Sequence, residues 1–169
     1  MQLVERYRSA WLQLVRESGS FPPIPQFAAL SGAAERGDGL RESDARQIDA
    51  DIHRSRVASL NIAEADVHMH RAALRRVLRA WCVLRPDVGY SQAMNFVAAV
   101  LLALAQHNEA EAFELFVALL HQLPADFYSE RPPLRGFQVE VGALVGLAQD
   151  LLPELCAVSG GVVLEALPL

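Results

Sequence analysis

Residues 89–96 read GYSQAMNF, with Arg85-Pro86-Asp87-Val88 before them and a nearly unbroken apolar run to Ala105 after. Two folds compete for this stretch. If Gly89-Tyr90-Ser91-Gln92-Ala93 is a variant of G-x-S-x-G, Ser91 is a nucleophile on a strand-to-helix elbow and the chain is an α/β hydrolase. If it is the turn before an amphipathic helix, no sheet is needed and Gln92 is the polar residue on display. An elbow needs a buried strand directly before the serine, and Leu84-Arg85-Pro86-Asp87-Val88 is not one. The triad order also fails. His107 and His121 follow Ser91, and Glu109, Glu111 or Glu114 precede His121, but all lie in two adjacent helical segments with no Gly-rich oxyanion loop.

Outward from this turn, the periodicity is helical and β-like alternation is almost absent. From Ser91 onward, Met94, Val97, Ala98, Leu101 and Leu102 fall at helical spacing. Upstream, Asp66 is the expected cap of a helix whose Val67, His70, Leu74, Val77, Leu78 and Trp81 share a stripe, with Arg71, Arg75, Arg76 and Arg79 largely off it. Pro86 ends that helix, and Gly89 marks the turn. A helix over Ser43–Ser55 is expected to start on Ser43 or Asp44. Glu109–Leu123 and Leu134–Leu155 supply two more helices, with Pro124, Pro132 and Pro133 between them. At the N-terminus, Leu3, Tyr7, Ala10, Trp11 and Leu14 line one face of a helix over residues 3–16. Ser18–Gly39, which contains Phe21-Pro22-Pro23-Ile24-Pro25, is expected to be a long loop or an ordered irregular segment. The fold class is all-α, an irregular multi-helix arrangement in a single domain over 1–169.

Composition narrows the function. The 169 residues are 52% hydrophobic, enough for one real core. Net charge is −5 and all 15 basic residues are arginine, which argues against nucleic acid as a partner. Charge is uneven, with 12 Arg against 10 acids in residues 1–84 and 3 against 10 in 85–169. Cys82 and Cys156 each sit in an apolar helical pattern and read as buried thiols in a reducing compartment. The opening MQLVERYRSAW carries charges where a signal peptide needs an apolar core. The run Phe96–Ala105 is about half of a bilayer span. A soluble, cytoplasmic protein without membrane insertion is expected. His68 and His70 form H-x-H without a third ligand at suitable spacing, so no metal site is expected.

A second motif lies upstream, Ile48-Asp49-Ala50-Asp51-Ile52-His53-Arg54-Ser55. Arg54 follows Asp51 by three residues, so the carboxylate can hold the guanidinium across one helical turn. Alone this is a helix end with a surface ion pair. Together, I-x-x-D-x-x-R-[ST] and the later G-Y-x-Q-x-M-N resemble the TBC domain, the GTPase-activating module for Rab-type small GTPases. Ile48, Asp51, Arg54 and Ser55, then Gly89, Tyr90, Gln92, Met94 and Asn95, carry the resemblance. It covers roughly 45–156 and is poor over residues 1–40.

The resemblance implies a GTPase activator rather than an enzyme in its own right, acting in vesicle trafficking on a Rab-type GTPase in its GTP-bound form. Arg54 would be an arginine finger and Gln92 a glutamine finger, both supplied in trans. The chemical types suit those roles, since guanidinium is permanently charged and planar for phosphate oxygens while an amide offers a water both donor and acceptor. Asp51 would orient Arg54, Tyr90 would pack at the foot of the glutamine loop, Ser55 keeps a hydroxyl, and Asn95 is expected to answer a backbone group nearby. No cofactor is implied, GTP and Mg²⁺ being the partner's, and contact with membranes would be peripheral through that partner. Against the family pattern, Ser55 stands for threonine, Ala93 for the glycine after the glutamine, and Arg56-Val57 for Phe-Pro. The opening Arg/Trp helix and the last helices are missing, so the chain is expected to be the N-terminal part of a full domain, shortened at both ends. Two rivals are a TBC-like scaffold that binds a small GTPase or another protein without accelerating hydrolysis, and an unrelated helical interaction domain.

Overall fold

A computed structural model describes residues 26–55, 62–124, 126–128 and 134–151, together with Ser9, Ala10 and Gln13. Those three are helical; the rest of the helix expected over 3–16 lies outside the described residues, as do Arg56-Val57 and Cys156. Every regular element among the described residues is helical: α1 (Phe27–Arg36), α2 (Glu42–Ile52), a short 3₁₀ turn (Glu64–Asp66), α3 (Val67–Leu84), α4 (Met94–Leu104), α5 (Glu109–His121) and α6 (Arg135–Leu151). The all-α class is correct. The chain forms two compact units, Met1–Gln122 and Leu123–Leu169.

In the first unit α3 is the central element, packed against α1, α2, α4 and α5. Its stripe of His70, Leu74, Val77, Leu78 and Trp81 is buried. Ile48 and Ile52 of α2, Met94, Ala98 and Leu102 of α4, and Phe113 and Phe116 of α5 close around it. Each fully buried Leu or Phe contributes about 1.5–3 kcal/mol relative to leaving it exposed. The off-stripe arginines tie helices at the rim: Arg75 and Arg79 both reach Asp49 on α2, and Arg76 makes a two-pronged bond to Glu109 on α5. Being half-exposed, such pairs add little each.

α1 corrects the expectation of a loop or ordered irregular segment over Ser18–Gly39 for Phe27–Arg36, while residues 18–25 lie outside the described residues. Phe27, Leu30, Ser31 and Ala34 recur at helical spacing, and the prolines all stand before Gln26. Gly37, at φ 81°, stops the helix: its N–H bonds to the Ala34 carbonyl while that of Asp38 bonds to Ala33. That is a glycine used as a C-terminal stop, not a loop marker. Phe27 then lies 5.4 Å from the Phe113 ring, anchoring α1 to α5.

Helix starts also differ. α2 begins at Glu42, because Asp44 is buried and its carboxylate accepts from Arg41 Nε at 2.9 Å instead of capping. Asp66 does occupy the position before α3, but its side chain makes no capping bond and the 3₁₀ turn leads in. α4 begins at Met94, three residues after Ser91. Asn108 caps α5 by accepting from the Glu111 N–H. In the second unit, α6 carries exposed Val139, Leu144, Leu147 and Leu151, and Phe137 meets Phe127 edge-on at 5.7 Å.

Candidate functional site

The end of α2 and the turn before α4 are joined by buried polar groups. Tyr90 Oη donates to Asp51 Oδ2 at 3.0 Å. Asn95 Nδ2 donates to Ser55 Oγ at 2.9 Å and to the Asp51 carbonyl at 3.3 Å. Ser55 Oγ donates in turn to that same carbonyl at 3.0 Å. This assigns the Asn95 amide: its two neighbours there are acceptors, so the NH₂ must face them. A hydroxyl at 55 is needed both to give and to receive, which is why a threonine-to-serine change costs the arrangement little. Asp51, Ser55, Tyr90 and Asn95 are all buried.

These four residues bracket the two that protrude. Arg54 sits between Asp51 and Ser55, its N–H bonded to the Asp51 carbonyl at 2.9 Å, and its side chain is 72% exposed. Among the described residues its one ionic neighbour is Asp51, at 4.0 Å, too long to hold the guanidinium in place. Gln92 lies between Tyr90 and Asn95 and is exposed. Sequence reading placed all six residues at this site, and the structure brings the bases of the two segments together. Asp51 proves to be chiefly the partner of Tyr90. Burial, then the Asp51 carboxylate beside it, push the Tyr90 hydroxyl far above its ordinary range, against a smaller opposing pull from the Asn95 backbone N–H. Tyr90 therefore stays a neutral donor.

Local backbone explains how Gln92 is displayed. Gly89 has φ 67°, and a Cβ there would fall inside the Arg41 guanidinium and against Asp44. Only glycine fits. Its carbonyl accepts from the Trp81 indole N–H at 2.9 Å, and its N–H donates to Arg85 O at 2.8 Å. Past Gln92, Ala93 takes φ 80°, a left-handed conformation that strains an alanine. Arg41 and Trp81 were not legible as site residues. Trp81 is one more member of the apolar stripe in sequence, and nothing marks Arg41.

The other polar features stand apart. Ser91 is half-buried, with its N–H on Met94 Sδ at 3.3 Å. His68 is exposed whereas His70 is fully buried, its ring edge-on to His107 at 5.0 Å and both nitrogens without a partner among the described residues. Burial, and secondarily His107, lower His70 from 6.5 to about 4. Burial pushes the Cys82 thiol up to about 12, so it is an inert core thiol. Among the described residues no group of three or more His, Cys, Asp or Glu side chains is arranged to hold a metal ion. No helix among them is long and apolar enough to cross a membrane.

Comparison with known proteins shows the family to which the sequence is similar. The family model described as the Rab-GTPase-TBC domain matches residues 34–158. The chain is 32% identical over 122 residues to TBC1 domain family member 30 of Mus musculus, covering 72% of this chain and 15% of that protein. It is 34% identical over 148 residues to TBC1 domain family member 2A of Bos taurus, covering 87% and 15%. The chain thus spans only a small part of the curated relatives it matches. No solved structure matches it.

Proposed function

The chain belongs to the Rab-GTPase-TBC domain family, and from that premise we propose that it activates Rab-type small GTPases by supplying Arg54 and Gln92 in trans. One observation carries the reading. The residues flanking Arg54 are bonded to the residues flanking Gln92 through a buried network, while the two side chains themselves stand in solvent. A purely structural arginine and glutamine would have no reason to be paired at their bases and exposed at their tips.

Small GTPases hydrolyse GTP slowly because the attacking water is poorly oriented and charge developing on the phosphate oxygens is incompletely neutralised. Arg54, weakly held by Asp51, is available to move onto those oxygens. Gln92 offers a carbonyl to accept from the water and an NH₂ to donate. GTP and Mg²⁺ belong to the GTPase, and the chain needs no cofactor of its own. Contact with vesicle membranes would come through the GTPase.

Single-turnover GTP hydrolysis by a panel of GTP-loaded Rab-type GTPases tests the reading. Addition of the chain should accelerate at least one member, and Arg54→Ala should remove about 10³ to 10⁵ of that acceleration. A rate unchanged by the unmodified chain, despite measurable binding to the GTP-loaded partner, would leave it a scaffold.

A further inference from the structure

Gln92 is exposed at the tip of a short turn, and an exposed amide aligns nothing unless the backbone beneath it is held. Downstream, Asn95 and Met94 tie the turn to α2 and to the core. Upstream the question is what holds residues 89–91. Tyr90 is fastened by its far end, the hydroxyl on Asp51. The backbone itself is fastened one residue earlier, at Gly89. There the Trp81 indole N–H meets the Gly89 carbonyl at 2.9 Å, in a buried bond that crosses from α3 to the turn.

Trp81 is itself closely packed. It is 3% exposed, its ring stands edge-on to Phe116 at 5.7 Å, and the Arg85 guanidinium lies 5.9 Å from its centroid. Core packing fixes the indole, the indole fixes the Gly89 carbonyl, and the carbonyl fixes the plane of the Gly89–Tyr90 peptide. Only Ser91 stands between that peptide and Gln92. A tryptophan also spends its N–H here although the stripe needs only its hydrophobic ring; a phenylalanine would fill the same face of α3.

We propose that Trp81 is a positioning residue for Gln92, its indole N–H setting the orientation of the glutamine turn for the attacking water. The inference rests on the reading of Gln92 as a water-aligning finger, and it adds to that reading a residue that touches neither GTPase nor water. Because the effect is on placement and not on docking, it belongs to the rate at saturation and not to affinity.

Trp81→Phe keeps the ring and removes the N–H. At saturating GTP-loaded GTPase the stimulated rate should fall about ten- to a hundredfold, as misplacement of a catalytic group does, with the half-saturating concentration changed less than about twofold. In a Gln92→Ala background the same substitution should change the rate less than about twofold, since no finger is left to misplace. Amide hydrogen exchange of residues 90–93 should quicken while that of α5 does not. Equal losses in the two backgrounds, an unchanged rate with intact Gln92, or unchanged exchange in the turn would each overturn the proposal. Should the unmodified chain stimulate no GTPase, the finger reading fails, and the exchange measurement alone decides whether Trp81 holds the turn. If the phenylalanine variant does not fold, 3-benzothienylalanine at position 81, which replaces the N–H by sulfur at nearly the same shape, takes its place in the same comparisons.

Discussion

Tyr90→Phe removes a single oxygen from the clasp and leaves the ring packed. The Tyr90 hydroxyl donates at 3.0 Å to Asp51, whose residue is only 6% exposed, so water cannot simply take its place. The remaining cation near that carboxylate, Arg54, is 4.0 Å away and mostly in solvent. A hydrogen bond to a charged acceptor contributes about 1.5–3 kcal/mol. For a chain of this size 1 kcal/mol moves the midpoint by about 2–4 °C, so thermal unfolding should shift downward by roughly 3–12 °C. Unfolding followed by far-ultraviolet circular dichroism, with urea titration to check that the slope is unchanged, measures it. A double-mutant cycle with Asp51→Ala should return a coupling of about 1.5–3 kcal/mol. If Tyr90→Phe costs less than about 0.3 kcal/mol, or the coupling vanishes, the clasp between the two segments does not form in solution.

Ala93→Gly should raise stability by roughly 0.5–1 kcal/mol in the same unfolding assay, since the left-handed cost to alanine exceeds the extra freedom glycine brings to the unfolded chain. Gly89→Ala should lose roughly 2 kcal/mol or more, because the new methyl meets both a left-handed backbone and the Arg41 guanidinium. His70 makes stability fall in acid: its folded value of about 4 lies below the ordinary 6.5, so the unfolded chain takes the proton first. The stability from keeping it neutral is complete above pH 6.5 and drains away by roughly 3 kcal/mol as pH falls towards 4. His70→Leu should flatten that part of the pH–stability curve and raise stability at neutral pH, since both ring nitrogens it removes lack partners among the described residues.

Much of this was legible in the chain because two periodicities and two short motifs agreed. The stripe from His70 to Trp81 and the spacing from Met94 to Leu102 are helical for a physical reason, burial on one side, and both faces are buried as read except at Val67 and Val97, which are half-buried. α1 was not legible, because three prolines and the glycines around it suggested a loop, whereas the prolines precede the helix and Gly37 closes it. Helix starts were misplaced where a capping side chain had a better partner, as Asp44 does in Arg41. At the site, Arg54, Gln92 and their four neighbours could be named only through the family resemblance that the two motifs carry together. That Asp51 serves Tyr90 more than Arg54, and that Trp81 reaches Gly89, are contacts between elements, and nothing local in the sequence encodes them.

The central claim is that Gln92 does the water-orienting work for a GTPase in trans. The direct test uses a Rab-type GTPase whose own catalytic glutamine has been replaced, loaded with GTP and mixed in single turnover with the unmodified chain or with Gln92→Ala. Hydrolysis should be accelerated by the unmodified chain and left near the unstimulated rate by Gln92→Ala, with both binding the GTPase comparably. Acceleration that survives in Gln92→Ala, or that is absent with the unmodified chain although the unaltered GTPase responds to it, would contradict the account.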